Sequence, residues 1–169
     1  AQFLAELPGF MNATTHLYME RERVGRNYVV LVPPRNKPNF VPDELALVSL
    51  VSEEEYRRVR ATPEGAAYGE SHWTVFDRSK SKSAPYKTVI AALPEILVNN
   101  EAYDLTGDDV DWEAGHTTCF IGLRKSGVSA ESFLTRLSRH LARVTESFRP
   151  VGLSGYVAIA NGDYEVAYM

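Results

Sequence analysis

The chain is expected to fold as an α+β domain: one antiparallel sheet, two helices on one of its faces, an added β-hairpin in front and an added strand behind. Three stretches carry that expectation. Ser52 and Glu55 form a capping box between two apolar runs of strand length, residues 45–51 and 86–93. Behind Ser129, the residues Phe133, Leu134, Leu137, Leu141, Val144 and Phe148 fall on one face, at spacings of three and four, and mark an amphipathic helix. Asn161-Gly162 sits between two short runs, 155–160 and 164–169, and is the strongest short-range hairpin signal.

Residues 1–14 read as an N-terminal tail, with 1–10 either native or an addition ahead of Met11, and 15–169 as a single domain. Over 15–23 the pattern alternates: His16, Tyr18 and Glu20 on one side, Leu17 and Met19 on the other. Gly25-Arg26-Asn27 tolerates a turn, and residues 28–32 are apolar and β-branched, so the whole reads as a β-hairpin. Pro33-Pro34 ends it, and the prolines up to Pro42 make 35–42 a loop. A strand at 45–51 leads into the Ser52-capped helix over 53–61. Thr62 then caps a second helix over 63–77, with Pro63 in its first turn. A strand at 86–93 stops at Pro94. Residues 98–114, rich in Asp and Glu, read as a surface connection. Residues 116–125 form a strand with Thr118 and Phe120 on one face and Cys119, Ile121 and Leu123 on the other. Pro150 and Gly152 end the last helix.

The 169 residues, 44% hydrophobic and 24% charged, have the composition of a domain that buries its own core. The net charge of −4, with both signs interspersed, lacks the basic stripe of a nucleic-acid binder. Cys119 is the single cysteine, so neither an intrachain disulfide nor a multi-cysteine zinc site is possible. No apolar run approaches the roughly 20 residues of a membrane span, and no signal-peptide pattern opens the chain. A cytoplasmic protein with no membrane or nucleic-acid partner is the expectation.

Strand, helix, strand, strand, helix, strand is the split, ferredoxin-like β-α-β-β-α-β order. Its second sheet face is also apolar, and a second copy of the chain would cover it. With EGAAYGESHWTVFDRSKS in its first helix, this order resembles the dimeric α/β-barrel superfamily, which includes EthD-like proteins, antibiotic-biosynthesis monooxygenases, stress-responsive barrels and small polyketide cyclases. The resemblance covers about residues 45–169 and rests on element order and a His/Trp-bearing first helix. It implies a homodimer, a pocket between sheet and first helix and, in many members, catalysis by His and Tyr without a cofactor; some members bind haem. The additional N-terminal hairpin departs from the small members and would cap or replace part of the dimer interface.

Among the residues able to do chemistry, His72 is the natural acid or base at neutral pH. Tyr68 lies one helical turn earlier on the same face and is placed to stabilise an oxyanion. The competing reading is that both pack the helix onto the sheet. Trp73 and Phe76 are core residues or a substrate platform. His16 and Tyr18 share a strand face and join the site if that face lines the cavity. His116 and Phe120 stand on the strand at 116–125, His116 as a supporting catalytic group and Phe120 as a substrate contact. His140 reads as a boundary residue of the last helix. No pair of histidines has a metal-site spacing, and no phosphate loop or nucleophile elbow occurs, so no metal and no cofactor are assigned. The expected function is a cofactor-independent cyclase, isomerase, dehydratase or decarboxylase acting on a small hydrophobic, aromatic or polyketide-like substrate. Its alternatives are a non-catalytic ligand-binding or stress-responsive barrel and a haem-binding oxidoreductase or dehydratase.

Overall fold

Leu7, Phe10, Thr14, Leu17 and Tyr18 follow one another at helical spacing, and all five are buried. In the computed structural model this stripe forms α1 (Gln2–Thr14) and a π-helical segment at Thr15–Arg21 that continues it. The expected strand over 15–23 is therefore replaced by helix. Five alternating residues are too few to separate a strand from a helix once the apolar positions of the preceding turns are added. With residues 1–14 set aside as a tail, those positions were out of view.

The structure describes residues 2–82, 86–87, 92–107 and 110–169. They form two compact units: residues 1–30 with 45–82, and residues 31–44 with 83–169.

In the first unit, β1 (Gly25–Leu31) does pair, with β2 (Leu45–Leu50), in a sheet of two strands. Two helices follow, α2 (Glu53–Arg60) and α3 (Pro63–Val75). Their starts are as the sequence indicates. Ser52 Oγ accepts from Glu55 N at 3.1 Å, and Thr62 Oγ1 accepts from Gly65 N at 3.0 Å. Three glutamates in the first turn of α2 and three arginines in its last oppose the helix dipole. Gly65 and Gly69 let the end of α2 lie directly on α3. A Cβ on Gly65 would stand 2.0 Å from the Val59 carbonyl oxygen, and one on Gly69 would stand 2.3 Å from Arg60 Nη2.

The second unit is a five-stranded sheet in the order β3-β4-β6-β7-β5. Its strands are β3 (Tyr86–Lys87), β4 (Glu101–Asp104), β5 (Cys119–Leu123), β6 (Val157–Ala160) and β7 (Tyr164–Tyr168). β3 runs parallel to β4, and the remaining neighbours are antiparallel. The expected strand over 86–93 is described only at its first two residues; 88–91 lie outside the described residues. β4 falls inside the stretch expected to be surface connection. Ala102 and Tyr103 are buried there, and so is Asp104, because its Oδ1 accepts from Thr106 N, Thr106 Oγ1 and Gly107 N. A carboxylate bonded three times by its own turn can leave water, which composition alone does not reveal.

β5, α4 (Ala130–Phe148) and β6 form a split β-α-β unit with β7 between the two parallel strands. Ser129 Oγ accepts from Ser132 N, and Asn161 Oδ1 closes the β6–β7 turn by accepting from Asp163 N and Tyr164 N. Leu134, Leu137 and Leu141 pack in one core with Ala158, Ala160 and Ala167, all three alanines fully buried. Small side chains on the sheet let the helix come close, and burying a leucine such as Leu141 contributes about 1.5–3 kcal/mol.

Gly65→Ala is expected to lower unfolding stability by at least about 1–3 kcal/mol, because the clash is with backbone and cannot be relieved by a side-chain turn. Gly9→Ala, where a Cβ meets nothing within 4 Å, should instead gain about 0.5–1 kcal/mol of helix propensity. Urea unfolding of the two variants reads both signs; equal effects would remove the close-packing account.

Candidate functional site

In the first unit, α3 turns Gly65, Tyr68, Gly69 and His72 to one side. The Arg60 guanidinium lies across Gly69 and donates to the Gly65 carbonyl at 2.8 Å. Tyr68 stacks on Phe10 and meets Tyr18 edge-on. Thr14 Oγ1 donates to the Phe10 carbonyl, so the Tyr68 hydroxyl, 2.8 Å away, donates to Thr14. Burial pushes the Tyr68 phenol above its ordinary range. His72 is partly buried and contacts three rings: Trp73 at 4.5 Å, Phe76 at 4.6 Å and Phe10 at 5.1 Å between centroids. Its Nδ1 is buried without a hydrogen-bond partner. Burial first, and the Arg60 charge second, push the imidazole below its usual value and hold it neutral. Tyr18 Oη is also buried without a partner of normal geometry, although the nearby Arg60 offsets part of the rise that burial causes.

The sequence-derived candidates thus divide. Tyr18, Tyr68, His72 and Phe76 meet in this aromatic cluster, which has the packing of a core. Trp73 flanks it, 37% exposed, with the Arg78 guanidinium 5.2 Å above its ring. His16 and Tyr18 do not share a strand face, since both sit in the π-helical segment. Tyr18 points inward and His16 is exposed beside Glu20 at 3.1 Å. His116 and Phe120 belong to the second unit. His116 is exposed in the loop before β5, three residues ahead of where that strand begins.

Phe120 borders a groove of about 400 Å³ in the second unit. α4 supplies His140, Val144 and Phe148, and the turn after it supplies Val151. Leu153 and Tyr156 line it too, and Glu165 and Met169 come from β7 and the residue after it. The groove exists because α4 covers only part of the sheet. Five strands at about 4.8 Å spacing make a face about 19 Å wide, and one helix is about 10 Å across. The β5 side stays open, with Phe120 half exposed.

Glu165 is the carboxylate in this groove and is 5% exposed. It faces α4 because β7 alternates: Glu165 and Ala167 point to the helix, while Val166 and Tyr168 point away. Its cross-strand neighbour on β5 is Gly122, which leaves room for the Phe120 ring to lie over it. A Cβ there would lie 3.1 Å from the Phe120 ring and 3.6 Å from Glu165 Oε2. Burial alone raises the carboxyl to about 7. Burial, then the Glu165 charge, raises Tyr156 to about 12. On the opposite face of the sheet, burial raises the Cys119 thiol to about 11, which leaves it unreactive at neutral pH. Among the described residues no three His, Cys, Asp or Glu side chains group as metal ligands, and no helix is long and apolar enough to cross a membrane.

Sequence reading did not single out Glu165. The available signal was a charged residue two positions from Ala167 in a strand whose register the Asn161-Gly162 turn fixes. Which of the two faces of that strand meets the helix is decided only by pairing with β5 and β6. No family model, curated protein or solved structure matches the chain.

Glu165 makes stability pH-dependent with a defined sign. Between the ordinary 4.5 and about 7 the folded protein keeps this proton while the unfolded chain has lost it. Stability from this group is complete below 4.5 and is lost as pH rises through 7. Glu165→Gln removes the titration, so the variant should gain on the parent by about 3 kcal/mol across that window, at about 1.4 kcal/mol per pH unit. Urea unfolding at a series of pH values measures it. A difference that stays flat with pH would mean that Glu165 is solvated.

Proposed function

We propose that the second unit binds a small hydrophobic molecule in the groove beside α4. The observation that carries this is an apolar concavity with one buried carboxyl facing into it, the usual make-up of a small-molecule site. Val144→Trp places a large side chain in the groove from its helix wall. It should abolish the fluorescence gain of an environment-sensitive hydrophobic dye while leaving the far-ultraviolet circular dichroism unchanged. Undiminished dye binding would move the site elsewhere.

A second reading is cofactor-independent proton transfer on that molecule, of the cyclase, isomerase, dehydratase or decarboxylase kind. It is favoured by Glu165, held near neutrality and therefore suited to act as acid or base. His140 also lines the groove and can give or take a proton there. In this reading the catalytic role expected of His72 and Tyr68 passes to Glu165, because Glu165 lines the groove while His72 packs against three rings in the first unit. Glu165→Gln should cost about 10²-fold or more in turnover of any substrate found, and His72→Phe should leave turnover largely intact. The reverse pattern would return the chemistry to the aromatic cluster.

The finer fold reading, a ferredoxin-like sheet of the dimeric α/β-barrel type, belongs to the same proposal, together with a homodimer. The split β-α-β unit of β5, α4 and β6 supports it, while the pairing of β2 with β1 departs from the expected single sheet. Native mass spectrometry should show twice the 18.9 kDa chain mass; the single mass alone would remove the dimer.

A further inference from the structure

The groove has a charge character as well as an apolar one. Glu165 is the one acidic side chain lining it, and among the described residues no arginine or lysine pairs with it. The groups that face it are limited. β5 brings Gly122 and Phe120, neither titratable; β6 is preceded by Tyr156; α4 brings His140. Around it, Phe120, Phe148 and Tyr156 offer aromatic rings, whose faces attract cations.

Resting on the reading that this groove holds a small molecule, we propose that its ligand class is the hydrophobic amine, bound as the ammonium with its N–H groups on the Glu165 carboxylate and its apolar part along Val144, Phe148 and Val151. The cost of taking the carboxylate out of water is already present in the empty protein, so a ligand cation gains the full interaction that no protein cation supplies. A hydrophobic carboxylate would bring a second negative charge to the same place and be repelled. A neutral alcohol would gain only the apolar contacts. The wall from His140 to Phe148 runs about 12 Å along the helix, the length of a medium alkyl chain.

The proposal carries a pH signature. Ammonium groups of this kind stay protonated to about pH 10, so the titrating partner below that is the carboxylate, which burial holds at about 7. Amine affinity should be near its full value at pH 8 and fall about a hundredfold by pH 5.

The experiment is calorimetric titration of the full chain with n-octylamine, n-octanol and octanoate at both pH values, with the parent and Glu165→Gln. Expected are octylamine binding that weakens about a hundredfold at pH 5, octanol binding that is weaker at pH 8 and independent of pH, and no octanoate binding at pH 8. In Glu165→Gln, checked for folding by circular dichroism, the amine should lose both its pH dependence and its advantage over the alcohol. The preference for octylamine over octanol and octanoate at pH 8 reads the proposal without any variant. Equal affinity of amine and alcohol at pH 8, preference for octanoate, or a pH dependence that survives Glu165→Gln would overturn the amine assignment and leave the groove standing. Absence of binding by all three probes would overturn the groove reading and the amine with it.

Discussion

One helix about 10 Å across cannot cover a sheet about 19 Å wide, and the second unit is shaped by that mismatch. α4 commits its leucines to Ala158, Ala160 and Ala167. Small residues at those three positions draw the helix toward β6 and β7 and away from β5. What remains on the β5 side is apolar because it lies on the helix face of the sheet, yet no helix among the described residues of this unit covers it. Gly122 lets the Phe120 ring lie close against β5 beside Glu165, where a Cβ would stand 3.1 Å from that ring. The groove is thus a consequence of where the small residues stand, and Glu165 enters it because the turn at Asn161-Gly162 sets the register of β7.

Small residues do the opposite work in the first unit. There Gly65 and Gly69 remove volume so that α2 can fill it, and the Arg60 guanidinium occupies the place a Gly69 side chain would take. Ring on ring, Phe10, Tyr18, Tyr68, His72 and Phe76 then close the remaining space. A run of polar aromatic residues at helical spacing is equally compatible with a catalytic surface and with a packed seam. Here the glycines between those residues mark the seam, since they are needed where backbone meets backbone.

Much of the local structure was legible because it depends on neighbours in sequence. The caps at Ser52, Thr62 and Ser129, the length of α4, and the final hairpin are set by residues within a few positions of one another. Pairing was less so. β2 joins β1 rather than the larger sheet, and β4 is a four-residue strand inside an acidic stretch, made possible by the bonds that Asp104 receives from its own turn. Neither follows from alternation. The helical character of residues 2–21 was hidden for a different reason, since its stripe spans a boundary placed ahead of Thr15. As for the groove, the alternation that separates Phe120 from Cys119, Ile121 and Leu123 was legible, whereas Glu165 is not distinguishable from a solvated carboxylate until the partner of its face is known.

His72 and Glu165 show why a displaced pKa is not by itself a site. Burial is the leading cause in both, and it acts in opposite directions, favouring the neutral imidazole and the neutral acid. Folding stability is therefore reduced by His72 toward acid and by Glu165 toward neutral pH. The difference lies in what each group faces. The His72 ring meets Phe10, Trp73 and Phe76, so desolvation there accompanies close packing. The Glu165 carboxyl lines the groove beside α4, so its desolvation is still available to a partner that brings a donor or a positive charge. Of the two neutralised groups, only the one beside a void can exchange its lost hydration for a ligand.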